Sequence, residues 1–253
     1  MNLNNFDKWN MLPMSYSKLN QWKTFPTQFV IQRIYGHTLE TSPAMTCGHV
    51  VEEMLYKYMQ GQDPDINEVL LKFEDSFENY SNIEEVEKYL KLIPEFYKNC
   101  EPLFNKLGNM ELTSYQEEIK TEILGVPFIG YTDFIFKIDN EIYLYDLKTK
   151  GRMTKSHGEY LQQAIYKKAL EEKYECKVNC NLYVVTPKKY EFIELEITDA
   201  HIIEIENTLK GMNKVFEFCN TEEDFAYLFQ PNLDDFIWAN PLLTKHRKDI
   251  WGV

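Results

Sequence analysis

The chain has 253 residues, 44% of them apolar and 26% charged, enough to bury a continuous core without disulfides or a structural metal. Its 27 Lys and Arg face 40 Asp and Glu, a net charge of −13, which argues against a broad surface that coats nucleic acid and confines any such ligand to a local basic channel or a site shared with cations. No apolar run could span a bilayer, the start lacks a signal-peptide pattern, and five scattered cysteines suit a reduced, cytoplasmic setting.

The first third reads as helical. A serine of Ser15-Tyr16-Ser17 can cap a short helix through Trp22, and Pro26 suits the first turn of a second one carrying Phe29, Ile31 and Ile34. Two more helices are expected near 44–60 and 66–79. An amphipathic stretch over about 82–107 follows, with Pro94 and Pro102 placed to kink or break it. Near residue 111 the pattern turns to β-branched and aromatic residues. Ser114 to Ile123, Pro127 to Ile138 and Glu141 to Thr149 read as a three-stranded antiparallel meander, punctuated by Gly125 and Asp139-Asn140. A helix over about 157–173, an apolar strand from Asn179 to Thr186, a further strand from Glu191 to Ile197 and a helix from Ala200 to Phe218 complete the reading. The order predicts an α/β fold with a mixed sheet flanked by helices.

The chemistry concentrates on the meander. Asp146 and Lys148 are two apart on one strand and leave the same face, while Tyr143 and Tyr145 point to the core. Asp133 and Asp146 lie about equally far from the Asp139-Asn140 turn, so they should stand opposite one another. Two carboxylates beside an ammonium suit phosphodiester hydrolysis. Asp133, Asp146 and the Leu147 carbonyl would hold Mg²⁺ or Mn²⁺, and Lys148 would orient water or stabilise charge on the phosphate. An Asp-x-Lys standing alone is more often a plain cross-strand ion pair on a solvated face. The following loop carries Lys150, Arg152 and Lys155, with no acid before Glu159, and is the expected place for phosphates.

Four segments in order resemble the PD-(D/E)XK nucleases, specifically RecB-type nuclease domains and the CRISPR adaptation exonucleases. They are Ser15-Tyr16-Ser17-Lys18-Leu19 with Pro26; Gly48-His49-Val50-Val51-Glu52-Glu53; Gly130-x-x-Asp133 with Asp146-Leu147-Lys148-Thr149; and Gln162-x-x-x-Tyr166. The resemblance implies a three-layer, restriction-endonuclease-like core in a single domain over 1–253, with a helical insertion at about 60–110 and a C-terminal helical extension from about 198. It implies a metal-dependent nuclease acting on single-stranded DNA or duplex ends, an exonuclease in recombination, repair or phage and mobile-element DNA processing. A second copy or a recombination protein would be its partner class.

It also places Gln162 and Tyr166, one helical turn apart, on the substrate; Tyr166 could stack on a splayed base. RecB-type domains carry a histidine ligand four residues after the helix glycine, where this chain has Glu52, and His49 and Glu53 stand within a turn of it. The iron–sulfur cysteines of some relatives are not matched: Phe25 precedes Pro26, and no cysteine follows Cys219, so no cluster is expected. The rival readings are a catalytically silent nucleic-acid-binding domain of the same fold and a nuclease acting on RNA.

Overall fold

The computed structural model describes residues 1–78, 80, 82–107, 111–154 and 156–253, without the side chains of 104, 105 and 107. Helices α1 (Leu3–Asp7), α2 (Tyr16–Thr24) and α3 (Pro26–Phe29) come first. Ser15 caps α2, its hydroxyl accepting from the Lys18 N–H at 3.3 Å, and Pro26 fills the first turn of α3. The helix expected to continue through Ile34 passes instead into one π-helical turn, Val30–Ile34. That wider turn leaves Val30, Ile31 and Ile34 all buried.

Next come α4 (Pro43–Met59), α5 (Ile66–Asp75), α6 (Ile83–Asn99) and α7 (Glu101–Leu107). The α-helix α5 ends at Asp75, before the expected 79, a position outside the described residues. The amphipathic stretch breaks at Cys100, so that Pro102 falls in the first turn of α7, whereas α6 continues through Pro94.

Strands β1 (Leu112–Ile123), β2 (Val126–Ile138) and β3 (Glu141–Thr149) precede α8 (His157–Tyr174), β4 (Val178–Val185) and β5 (Tyr190–Leu195). Helices α9 (Asp199–Phe218), α10 (Glu222–Leu228) and α11 (Pro241–Trp251) follow. The five strands lie in sequence order in one sheet. β2 and β3 pair antiparallel, α8 carries the chain over to β4 parallel to β3, and β5 returns antiparallel. The sheet is mixed, as the element order implies.

The chain divides into two compact units. One comprises Met1–Glu40, Lys120–Gly130 and Thr198–Val253. There Trp22 packs edge-on to Phe29, Phe216 and Phe229, and Phe25 joins a satellite cluster with Ile31, Ile237 and Leu243. The other comprises Thr41–Ile119 and Tyr131–Ile197. Its core sets Val51, Leu55, Phe73, Ile93 and Phe96 from α4 to α6 against Phe134, Phe136, Tyr145, Leu147 and Tyr183 of the sheet. Alternation sends Leu144, Asp146, Lys148, Cys180 and Leu182 to the opposite face, where α8 packs on β4. Cys180 is buried strand core, with Sγ 3.9 Å from the Gln163 carbonyl. Among the described residues, no helix is long and apolar enough to cross a membrane.

Candidate active site

The period of two puts Asp146 and Lys148 on one face of β3, and their side chains meet there, Lys148 Nζ lying 2.5 Å from Asp146 Oδ2. The β2–β3 register pairs Phe134 with Tyr145, so Asp133 and Asp146 occupy the next positions along. Asp133 Oδ2 accepts the Leu147 N–H at 2.8 Å, which ties this carboxylate to β3. Asp146 is 1% exposed; Lys148 meets its Oδ2 as an ion pair, and Oδ1 has no hydrogen-bond partner. A buried carboxylate with unused lone pairs is costly unless something else supplies positive charge.

Helix α4 supplies the third carboxylate. It can approach β3 closely because residue 48 is glycine: a Cβ there would sit 3.3 Å from Thr149 Oγ1. One turn later Glu52 is buried, with Oε1 accepting from Gln116 Nε2 at 3.2 Å. Neighbouring positions on a helix diverge by about 100°. Glu53 accordingly pairs with Lys57 at 2.8 Å on an exposed face, and His49 is exposed.

All three carboxylates have raised pKa values, burial being the largest cause in each. Asp133 is pushed well above the usual range by burial and by the charges of Asp146 and Glu52, against the pull of Lys148 and the Leu147 N–H. Asp146 is raised by burial despite its lysine. Glu52 is raised by burial, partly offset by the Gln116 hydrogen bond. Burial works against the Lys148 charge, but Asp146 and Asp133 outweigh it and hold the ammonium more firmly than usual. Among the described residues, no three His, Cys, Asp or Glu side chains converge on one cation position. Asp133 turns to a backbone N–H and Asp146 to Lys148 instead.

The other expected site residues divide. Gln162 and Tyr166 do share a face of α8, Gln162 Nε2 donating to Tyr166 Oη at 3.0 Å. The Tyr166 ring is buried, 6% exposed, so it does not offer the face that base stacking needs; its hydroxyl instead feels the charges of Asp146, Lys148 and Asp133. Lys150 pairs with Glu159 and donates to the Thr154 carbonyl at 2.6 Å. Arg152 is exposed, and Lys155 lies outside the described residues. Glu159 was legible as the fourth residue of a Ser-x-x-Glu capping box; it also accepts the Ser156 N–H at 2.9 Å, which starts α8 beside the site. Sequence reasoning passed over Tyr115 and Gln116, which no motif marks.

A model of the PD-(D/E)XK nuclease superfamily matches residues 13–234. The chain belongs to the PD-(D/E)XK nuclease superfamily. The crystal structure of a candidate exonuclease from Eubacterium rectale superposes with a TM-score of 0.59 at 16% identity, covering 94% of this chain and 97% of that one. At that identity the likeness is one of fold. A second solved structure, SSO0001, aligns over 83% of this chain and 95% of that one at 14% identity with a TM-score of 0.37, too slight to argue from. No curated protein matches the sequence significantly. Membership in the PD-(D/E)XK superfamily makes the protein a nuclease, and nucleases of this superfamily generally use divalent metal ions.

Proposed function

We propose that this PD-(D/E)XK protein is a Mg²⁺- or Mn²⁺-dependent deoxyribonuclease that degrades DNA from its ends, in the cytoplasm, during repair, recombination or phage and mobile-element DNA processing. The observation that carries the reading is Asp133 and Asp146 at paired positions of β2 and β3, both feeling the Lys148 ammonium, with buried Glu52 near enough to raise Asp133. The donor chemistry fits a hard cation, since three carboxylates and the Leu147 carbonyl are all oxygen ligands. Such an ion polarises the scissile phosphate and makes water more acidic. Lys148, unable to ligate while protonated, sits where it can orient the attacking water or balance charge on the phosphate. The exonuclease reading draws support from the four-segment resemblance and from the fold shared with the Eubacterium rectale protein.

End-labelled single- and double-stranded DNA, with RNA in parallel, should be cut from its ends in Mg²⁺ or Mn²⁺ and left intact in EDTA. Undiminished cleavage in EDTA would overturn the metal mechanism. Binding without cleavage under every cation would favour the silent domain, and preferential RNA digestion the ribonuclease.

Gln162 and Tyr166 are proposed to place the substrate, with Arg152, Lys150 and Lys155 contributing charge near the phosphates. Lys150 reaches DNA only by leaving Glu159. Because Tyr166 is buried, Gln162→Ala is the cleaner probe. It should weaken DNA binding about tenfold, roughly one lost charge-assisted contact, and leave Mn²⁺ affinity unchanged. Filter binding and calorimetry check the two halves; unaltered DNA affinity would reduce the pair to helix packing.

A further inference from the structure

Strand β1 carries an irregularity aimed at the acidic cluster. Consecutive residues Tyr115 and Gln116 both reach α4, Tyr115 stacking on Tyr56 and Gln116 bonding Glu52, whereas Glu117 pairs with Lys173 of α8. The alternation of a straight strand therefore slips by one between Tyr115 and Gln116. Next to the slip, Gln116 has φ 47°, in the left-handed region that a long-chain residue rarely adopts. Slip and left-handed residue together make a β-bulge, a device that re-aims side chains beside functional sites. Here it re-aims an amide. Gln116 Nε2 donates to Glu52 Oε1 at 3.2 Å and to Tyr115 Oη at 3.2 Å.

The neighbour completes the hold. Burial, and then the charge of the nearby Glu52 carboxylate, raise the pKa of the hydroxyl of Tyr115. Its ring stacks on Tyr56, one helical turn beyond Glu52 on α4, with centroids 4.0 Å apart and planes 11° apart. We infer that Gln116 is a positioning residue, whose bulged backbone holds a neutral amide on Glu52 and fixes that carboxylate toward Asp133 and Asp146. The choice of amide is chemically sensible. A lysine or arginine at 116 would neutralise Glu52 and repel a cation, whereas an amide orients the carboxylate and leaves its charge available. A strained backbone persists when its surroundings fix it, and it clusters where function uses the geometry.

The inference rests on Glu52 belonging to the proposed cation site. Two variants separate amide from backbone. Gln116→Gly removes the amide and relaxes the left-handed position, and Gln116→Asn suits that position but leaves its amide one methylene short. Both should fold, with the metal-free Tm equal to or above that of the parent. Mn²⁺ affinity measured by calorimetry should nevertheless fall about tenfold or more in both, the usual scale for groups that orient ligands. Turnover on DNA should fall with it, while KM for DNA stays unchanged. Parent-like Mn²⁺ affinity in both variants, with Glu52→Ala weakened, would overturn the role of Gln116 alone. Parent-like affinity in Glu52→Ala would overturn the reading of Glu52, and this inference with it. A lower Tm in both variants, with Mn²⁺ affinity retained, would make the bulge purely structural.

Discussion

Asp133→Asn should melt about 2–4 °C above the parent at pH 8 without divalent cation, and should bind no measurable Mn²⁺. The gain follows from the electrostatics of the cluster. Burial, then the charges of Asp146 and Glu52, raise the Asp133 carboxyl well above its ordinary 3.8. A carboxyl raised on folding favours the folded state while it is protonated. That contribution is complete below the ordinary carboxylate value and disappears as pH climbs through the raised folded value. The parent should therefore lose stability as pH rises from the ordinary carboxylate range through the raised folded value, and the asparagine variant should lose less. Asparagine keeps an oxygen for the Leu147 N–H, so the tie to β3 survives. Mn²⁺ should reverse the order by stabilising only the parent. Melting curves across pH 5 to 8, with and without Mn²⁺, test all of this at once. A variant no more stable than the parent at pH 8 would mean that the carboxylates are not in conflict.

Lys148→Met should leave Mn²⁺ affinity equal or tighter and reduce turnover by a hundredfold or more. The two effects part because the ammonium does two things. It occupies Asp146 Oδ2, where it competes with any cation for the same oxygen, and it is the positive side chain beside the carboxylate set. Methionine retains most of the apolar stem, so the half-buried position stays filled. Calorimetry with Mn²⁺ and single-turnover cleavage of labelled DNA give the two readings. Equal loss of metal binding and turnover would make Lys148 a structural member of the cluster.

Much of this was legible from local patterns. The meander could be read from β-branched runs between turn residues, and the turn at Asp139 fixed which residues face one another across β2 and β3. Period two alone put Asp146 beside Lys148. Helical divergence of neighbouring positions separated buried Glu52 from exposed Glu53 once α4 was docked at Gly48. What escaped depends on tertiary contact. The bulge at Gln116 needs a strand that changes phase, and Ser114-Tyr115-Gln116-Glu117 contains no Gly or Asn to announce a left-handed residue. Tyr166 was read as a stacking platform because one-face spacing cannot say how deeply a ring is buried. Lys150 was read as part of a free basic run because its partner, Glu159, is set by the start of α8.

The bulge in β1 has a second consequence, for the protein's behaviour in concentrated solution. Among the described residues β1 is an outer strand of the sheet, next to β2. A long, flat outer strand is a template on which another chain can add by backbone pairing, the first step of aggregation. β1 is 12 residues long and would be such a template if it ran straight. The break at Gln116 interrupts its backbone geometry, and beyond it exposed Glu118, Lys120 and Glu122 place a charge at every second position. The kink that holds an amide on Glu52 thus also keeps the strand from recruiting strangers, and a variant that straightened it would exchange an oriented carboxylate for an open edge.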